Sequence, residues 1–118
     1  MKYILYFLTT ILVSFVNAQN LKVQWQDESG RDFNIIAPTG ELGYTLLAGD
    51  KIQYNHFTDL PIQVGNTHIN YNYLNDKVMD VGKIHIYYDF SGRLSQVGGL
   101  TIEYNYSGKI TGTSGKVN

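Results

Sequence analysis

The side chains in this sequence that could do chemistry recur at one period. An Asn or Asp follows a Tyr at Tyr54-Asn55, Tyr71-Asn72, Tyr88-Asp89 and Tyr104-Asn105. Such a ladder could hold ligands, but carboxamides are weak metal ligands and calcium sites gather several carboxylates. Asn and Asp beside a turn also cap its backbone N–H groups, and that role is expected for all four. His56, His68 and His85 lack the three or four converging partners a zinc site needs, so neither a metal nor another cofactor is expected. Nucleophilic catalysis has no Cys and no Gly-x-Ser-x-Gly to build on. The serines fall largely in Ser-Gly turns, and the carboxylates are scattered, with Asp27, Glu28, Asp76 and Asp80 in or beside turns. No catalytic residue is assigned.

What remains is a surface. Tyr87 lies on the strand face opposite the motif tyrosines, beside His85 and Asp89. With Glu103 and Asn72 these form a polar face suited to a protein or glycan, because exposed rings offer apolar area with a polar rim. The leading expectation is therefore a non-enzymatic binding or structural module. A small envelope hydrolase, or a hydrolase inhibitor with a loop-built site, is the competing one. A concave pocket holding converging acids or imidazoles would separate them.

The elements that position these residues follow from the repeat. Ile52, Ile69, Ile86 and Ile102 each begin an Ile-x-Tyr-Asn/Asp motif, at spacings of 17, 17 and 16 residues. Val-Gly keeps the same register at Val64-Gly65, Val81-Gly82 and Val97-Gly98. This period suits one β-hairpin per unit. Ile84, Ile86, Tyr88 and Phe90 alternate with His85, Tyr87 and Asp89, which predicts an apolar and a polar face. Leu100, Ile102, Tyr104 and Tyr106 alternate likewise, and Ser91-Gly92 and Ser107-Gly108 turn the chain. Upstream, three further strands are expected around Leu21 to Gln26, Phe33 and Ile35, and Leu42, Tyr44 and Leu46. The tail from Gly112 to Gly115 is expected to fray.

The fold class is thus all-β, an antiparallel meander of hairpins in a twisted sheet. Its apolar face must be covered, by curling into a small barrel or sandwich or by packing on another chain, which leaves oligomers open. An outer-membrane barrel is disfavoured because its strands need about 9–11 residues and most candidates here are shorter.

Met1-Lys2, the apolar run Ile4 to Val13, and small residues before a cut after Ala18 form the three-part pattern of a signal peptide. Residues 1–18 are expected to be removed, leaving one domain over 19–118, with N-terminal strands to 50 and four hairpin units from 51 to 115. That predicts a secreted or periplasmic protein with no integral membrane segment after cleavage. Of the 9 Lys and Arg, Lys2 leaves with the leader, so the mature chain carries 8 against 10 Asp and Glu. It lacks the basic excess of a nucleic-acid binder.

Tyr88-Asp89-Phe90-Ser91-Gly92-Arg93-Leu94 resembles the Tyr-Asp-x-x-Gly-Arg-Leu/Ile signature of YD-repeat proteins of the Rhs and teneurin type, and Tyr104 to Ile110 is a conservative variant. The resemblance implies hairpin-repeat architecture in an exported setting. The cargo-enclosing shell of that family does not carry over, since 100 residues cannot surround cargo.

Overall fold

The computed structural model describes residues 20–118 together with the backbone of Val13–Asn17. The remainder of the segment read as a signal peptide lies outside the described residues. Among the described residues twelve strands run in chain order: β1 (Val13–Asn17), β2 (Asn20–Gln26), β3 (Asp32–Ala37), β4 (Glu41–Tyr44), β5 (Ile52–Tyr54), β6 (Pro61–Val64), β7 (Thr67–Tyr71), β8 (Val78–Val81), β9 (Ile84–Tyr88), β10 (Leu94–Val97), β11 (Leu100–Tyr104) and β12 (Ile110–Ser114). Among the described residues there is no helix.

The strands form two antiparallel meanders, one ordered β1-β2-β3-β4 and one running from β5 to β12 in sequence order; β1 belongs to the segment read as a signal peptide, so a cut after Ala18 would leave β2 at the edge of the shorter sheet. Neither closes into a barrel. Period-two alternation dictates what each buries: β2 turns Leu21, Val23 and Trp25 inward, and β3 turns Phe33, Ile35 and Ala37 inward. These meet Val64, Ile69, Val78, Val81, Ile86, Leu94, Val97, Leu100, Ile102 and Ile110 of the long sheet in one core. The apolar face is therefore covered from within the chain. A backbone bond also crosses between the layers, from the amide of Leu94 to the carbonyl of Pro38 at 2.9 Å, and the Ala37–Pro38 peptide is cis.

The four hairpins of the long sheet share one construction. Each carries a bulge at its motif Tyr: the pairings Tyr54↔Pro61, Tyr71↔Val78, Tyr88↔Leu94 and Tyr104↔Ile110 leave Ile62, Met79, Ser95 and Thr111 as the extra residue. A bulge adds local twist, so the motif Tyr always stands where its strand bends into the turn. The next residue caps that turn. The Oδ1 of Asp89 accepts from the amides of Ser91 and Arg93 at 2.9 and 3.0 Å, and that of Asn105 from Ser107 and Lys109 at the same distances. Asn55 and Asn72 do the same for Phe57 and Leu74. In their longer loops Asp59 and Asp76 take the positive φ that Gly92 and Gly108 take in the later ones.

Several expectations are corrected. Phe90 and Tyr106 do not join the apolar face; both are fully exposed. Alternation stops at Tyr88 and Tyr104 because the Asx cap redirects the backbone one residue later. Leu46 is exposed and lies beyond the end of β4. Tyr54 is half exposed, unlike Tyr71, Tyr88 and Tyr104, which pack against the core. The C-terminal segment does not fray: Gly112 lies in β12, Val117 is buried, and the amide of Gly99 donates to the carbonyl of Val117 at 3.0 Å.

Between units the chain reverses through two residues, Gly65-Asn66, Gly82-Lys83 and Gly98-Gly99. Only the first residue of each pair has positive φ, between 56° and 59°, the mark of a type II′ turn with Gly leading. A Cβ on Gly98 would stand 2.0 Å from the carbonyl oxygen of Val117, whereas one on Gly82 would meet only a methyl of Thr67 at 3.3 Å. Gly82→Ala is expected to cost about 1 kcal/mol from backbone conformation. Gly98→Ala should cost more, because it also expels the tail. Urea unfolding of the two variants measures the difference; equal losses would mean that the tail contributes nothing.

Candidate binding surface and the adjoining cleft

The long hairpins all turn at one edge of the long sheet, and each tip presents a ring. His56, Tyr73, Phe90 and Tyr106 occupy the same place, one residue after the capping Asn or Asp. Tyr73, Phe90 and Tyr106 are almost wholly exposed, as are Phe57 and Leu74 beside them. Solvation does not favour this, and scattered exposed apolar groups would need no comment. A row repeating with the fold is a patch of another kind. Neighbouring strands lie about 4.8 Å apart, so successive tips stand roughly 10 Å apart along the edge. Thr58, Asn75, Ser91 and Ser107 belong to the same tips, with Asp59 and Asp76 in the two longer loops.

The five residues singled out from the sequence divide into two groups. His85, Tyr87 and Glu103 lie on the outward face of the long sheet and are exposed. The rings of His85 and Tyr87 stand 6.5 Å apart, and His85 Nδ1 pairs with Asp80 across the β8–β9 ladder. Asp89 and Asn72 are instead engaged in turn caps. The second oxygen of Asp89 also accepts from Arg93 Nε at 2.7 Å. Burial pushes this carboxyl up, but the backbone and side chain of Arg93 and the amide of Ser91 outweigh it and hold Asp89 below the usual range.

At the opposite edge, where the type II′ turns lie, a cleft of about 670 Å³ opens between the layers. Trp25, Val81, Ile84 and Val117 form its apolar wall, and it reaches round the Gly82-Lys83 turn to His68, His85 and Tyr87. Acids and imidazoles line it, but they are engaged separately. Asp27 serves Arg31 and its own turn, Glu28 pairs with Lys83 at 3.2 Å, and His85 pairs with Asp80. Among the described residues no group of three His, Asp or Glu could hold a metal ion.

Beside the cleft is a cluster that the sequence argument overlooked. The Arg31 guanidinium, 3 % exposed, bridges Asp27 at 2.5 Å and grips Asp50 through two bonds of 2.7 and 2.8 Å. The Thr67 hydroxyl donates to Asp27 at 2.7 Å, which ties β7 into the network. The signal was present: Asp27-Glu28-Ser29-Gly30-Arg31 has the same form as Asp89-Phe90-Ser91-Gly92-Arg93. Both turns also make the same bonds, from the amides of the third and fifth residues to the first carboxylate. The first copy lacks the Ile-x-Tyr that marks the four hairpin units.

Between hairpins, the motif Tyr of the second, third and fourth units leans on the unit before it. Tyr71 Oη donates to the carbonyl of Pro61 at 2.7 Å and Tyr104 Oη to that of Leu94 at 2.5 Å. Lys77 Nζ lies 4.9 Å from the ring centre of Tyr88, and the Arg93 guanidinium 4.2 Å from that of Tyr104. Burial pushes the phenols of Tyr71, Tyr88 and Tyr104 up to about 12, and the buried Tyr88 hydroxyl has no hydrogen-bond partner among the described residues. These tyrosines are structural members of the sheet.

Compared with known protein families, curated proteins and solved structures, the chain matches none.

Proposed function

We propose that this chain is an exported, non-enzymatic binding module that takes an extended glycan along its row of hairpin-tip rings. The carrying observation is the exposure of Tyr73, Phe90 and Tyr106 at equivalent places on successive hairpins. Rings spaced roughly 10 Å apart by the sheet match a linear polymer whose sugars present an apolar face about every second residue. The amides, hydroxyls and carboxylates of the same tips can meet its hydroxyl groups. His85, Tyr87 and Glu103 extend the contact over the outward face. The signal-like N-terminus supports export, and the YD-like turns are consistent with an envelope or secreted setting.

Binding to an array of cell-wall and capsular polysaccharides tests this reading. Phe90→Ser and Tyr106→Ser are each expected to weaken binding by about 1–2 kcal/mol, roughly five- to thirtyfold in Kd, without changing stability. Loss on Tyr87→Ala alone would move the contact to the outward face. Binding to no glycan, or to a protein only, would overturn it. Fractionation with N-terminal sequencing tests export: a mature chain beginning at Gln19 outside the cytoplasm is expected, and one beginning at Met1 in the membrane would refute it.

A further inference from the structure

The joints between hairpins imply something about the two hairpins that end the sheet. Three joints occur within the chain, β6–β7, β8–β9 and β10–β11, all antiparallel. Each is reinforced by the later unit's Tyr, which takes a carbonyl or a cation from the earlier unit's return strand. The accepting carbonyls are those of Pro61 and Leu94, each the first residue of its strand. The cations are Lys77 and Arg93, each one residue before that strand.

At the last hairpin the same two places are held by Ile110 and Lys109, and no later Tyr stands against them. Lys109 is exposed, and among the described residues its ammonium makes no bond, ion pair or ring contact. At the first hairpin the situation is reversed. Tyr54 is 52 % exposed, and among the described residues its hydroxyl has no hydrogen bond and its ring no cation. Among the described residues the sheet order ends at β5 on one side and at β12 on the other, with no further strand on either. The C-terminal tail leaves the β12 edge clear, because Gly115 turns it back over Gly99.

We infer that the β12 edge of one copy takes the β5 edge of another, continuing the hairpin sheet across the junction. Tyr54 of the second copy then donates to the Ile110 carbonyl of the first and receives Lys109 over its ring. Gly112 falls opposite Lys51, as Gln96 lies opposite Thr101 within the chain. The occupant is a second copy of this chain because each edge supplies what the other lacks. The interface is heterologous, so each added copy leaves a free edge of both kinds, and sheet twist winds the assembly into an open helical chain. This assembly does not depend on what the hairpin tips bind.

Sedimentation velocity over a concentration series tests it. The wild-type protein is expected to associate progressively, without stopping at a dimer. Tyr54→Ala and Lys109→Glu, both at exposed side chains, should each raise the concentration of half-association about tenfold or more, with unchanged urea midpoints. Mixed in equal amounts, the two variants retain one intact junction between them, so they should form a dimer that grows no further. Amide exchange should show added protection at Ile52–Tyr54 and Ile110–Ser114 as concentration rises, a readout that needs no variant. A monomer at every concentration, a closed dimer indifferent to both substitutions, or protection elsewhere would overturn the inference.

Discussion

Phe33→Ala is expected to lower the unfolding free energy by about 3–5 kcal/mol, the range for deleting a buried aromatic side chain. Phe33 has no exposed surface and lies between Trp25 of β2 and Tyr44 of β4 in the shorter sheet. Its ring stacks on Trp25 at 5.9 Å between centroids and meets Tyr44 at 6.2 Å. Removing it leaves a void between two β-layers whose backbones are fixed by their ladders, so little collapse can relieve the loss. Small domains have marginal stability, so this variant should be largely unfolded at 37 °C. Urea unfolding followed by Trp25 fluorescence measures it. A loss below about 1 kcal/mol would mean that the short sheet is not an integral layer of the core.

Arg31→Met is expected to destabilise by about 2–3 kcal/mol, somewhat less than the loss for a deeply buried pair because the cluster borders solvent. The cost arises less from the missing attraction than from the carboxylates of Asp27 and Asp50, left without their cation. Its pH dependence is distinctive. The bonds from Arg31, and then the amide of Leu47, hold the Asp50 carboxyl below its usual range. For Asp27 burial acts upward, but the Thr67 hydroxyl, the Arg31 amide and charge, and the Ser29 amide prevail and lower it. A carboxyl lowered on folding contributes stability that is complete above its unfolded value, about 3.9. That stability is lost as pH falls through the lower folded value. Wild-type stability should therefore hold down to about pH 4 and fall below it. In Arg31→Met the acid loss should be shallower. Urea midpoints across the acid range decide this, and parallel curves for the two proteins would exclude Arg31 as the source.

The hairpins of the long sheet were legible because their determinants are local. An Asn or Asp accepting from amides two to four residues on, and a Gly at positive φ, need only neighbours in the chain. Ile86 and Tyr88 face the core because side chains alternate along a strand. The same local logic does not place Phe90 and Tyr106, because the turn begins one residue before them and ends the alternation. The tail was misjudged for a different reason. Gly112 to Gly115 look mobile by composition, and only the approach of Val117 to Gly99 holds them.

By itself, the sequence determined an all-β chain, the hairpin period and the turns that cap each unit. These rest on bonds within about five residues and on period-two burial. Tertiary structure alone decided that the strands before residue 45 form a second layer over the long sheet, and that Arg31 joins Asp27 to Asp50 and Thr67. It also decided that Tyr54 and Lys109 end the sheet without, among the described residues, the partners their counterparts have. Each of these depends on segments far apart in sequence, where packing, and not local pattern, selects the neighbour.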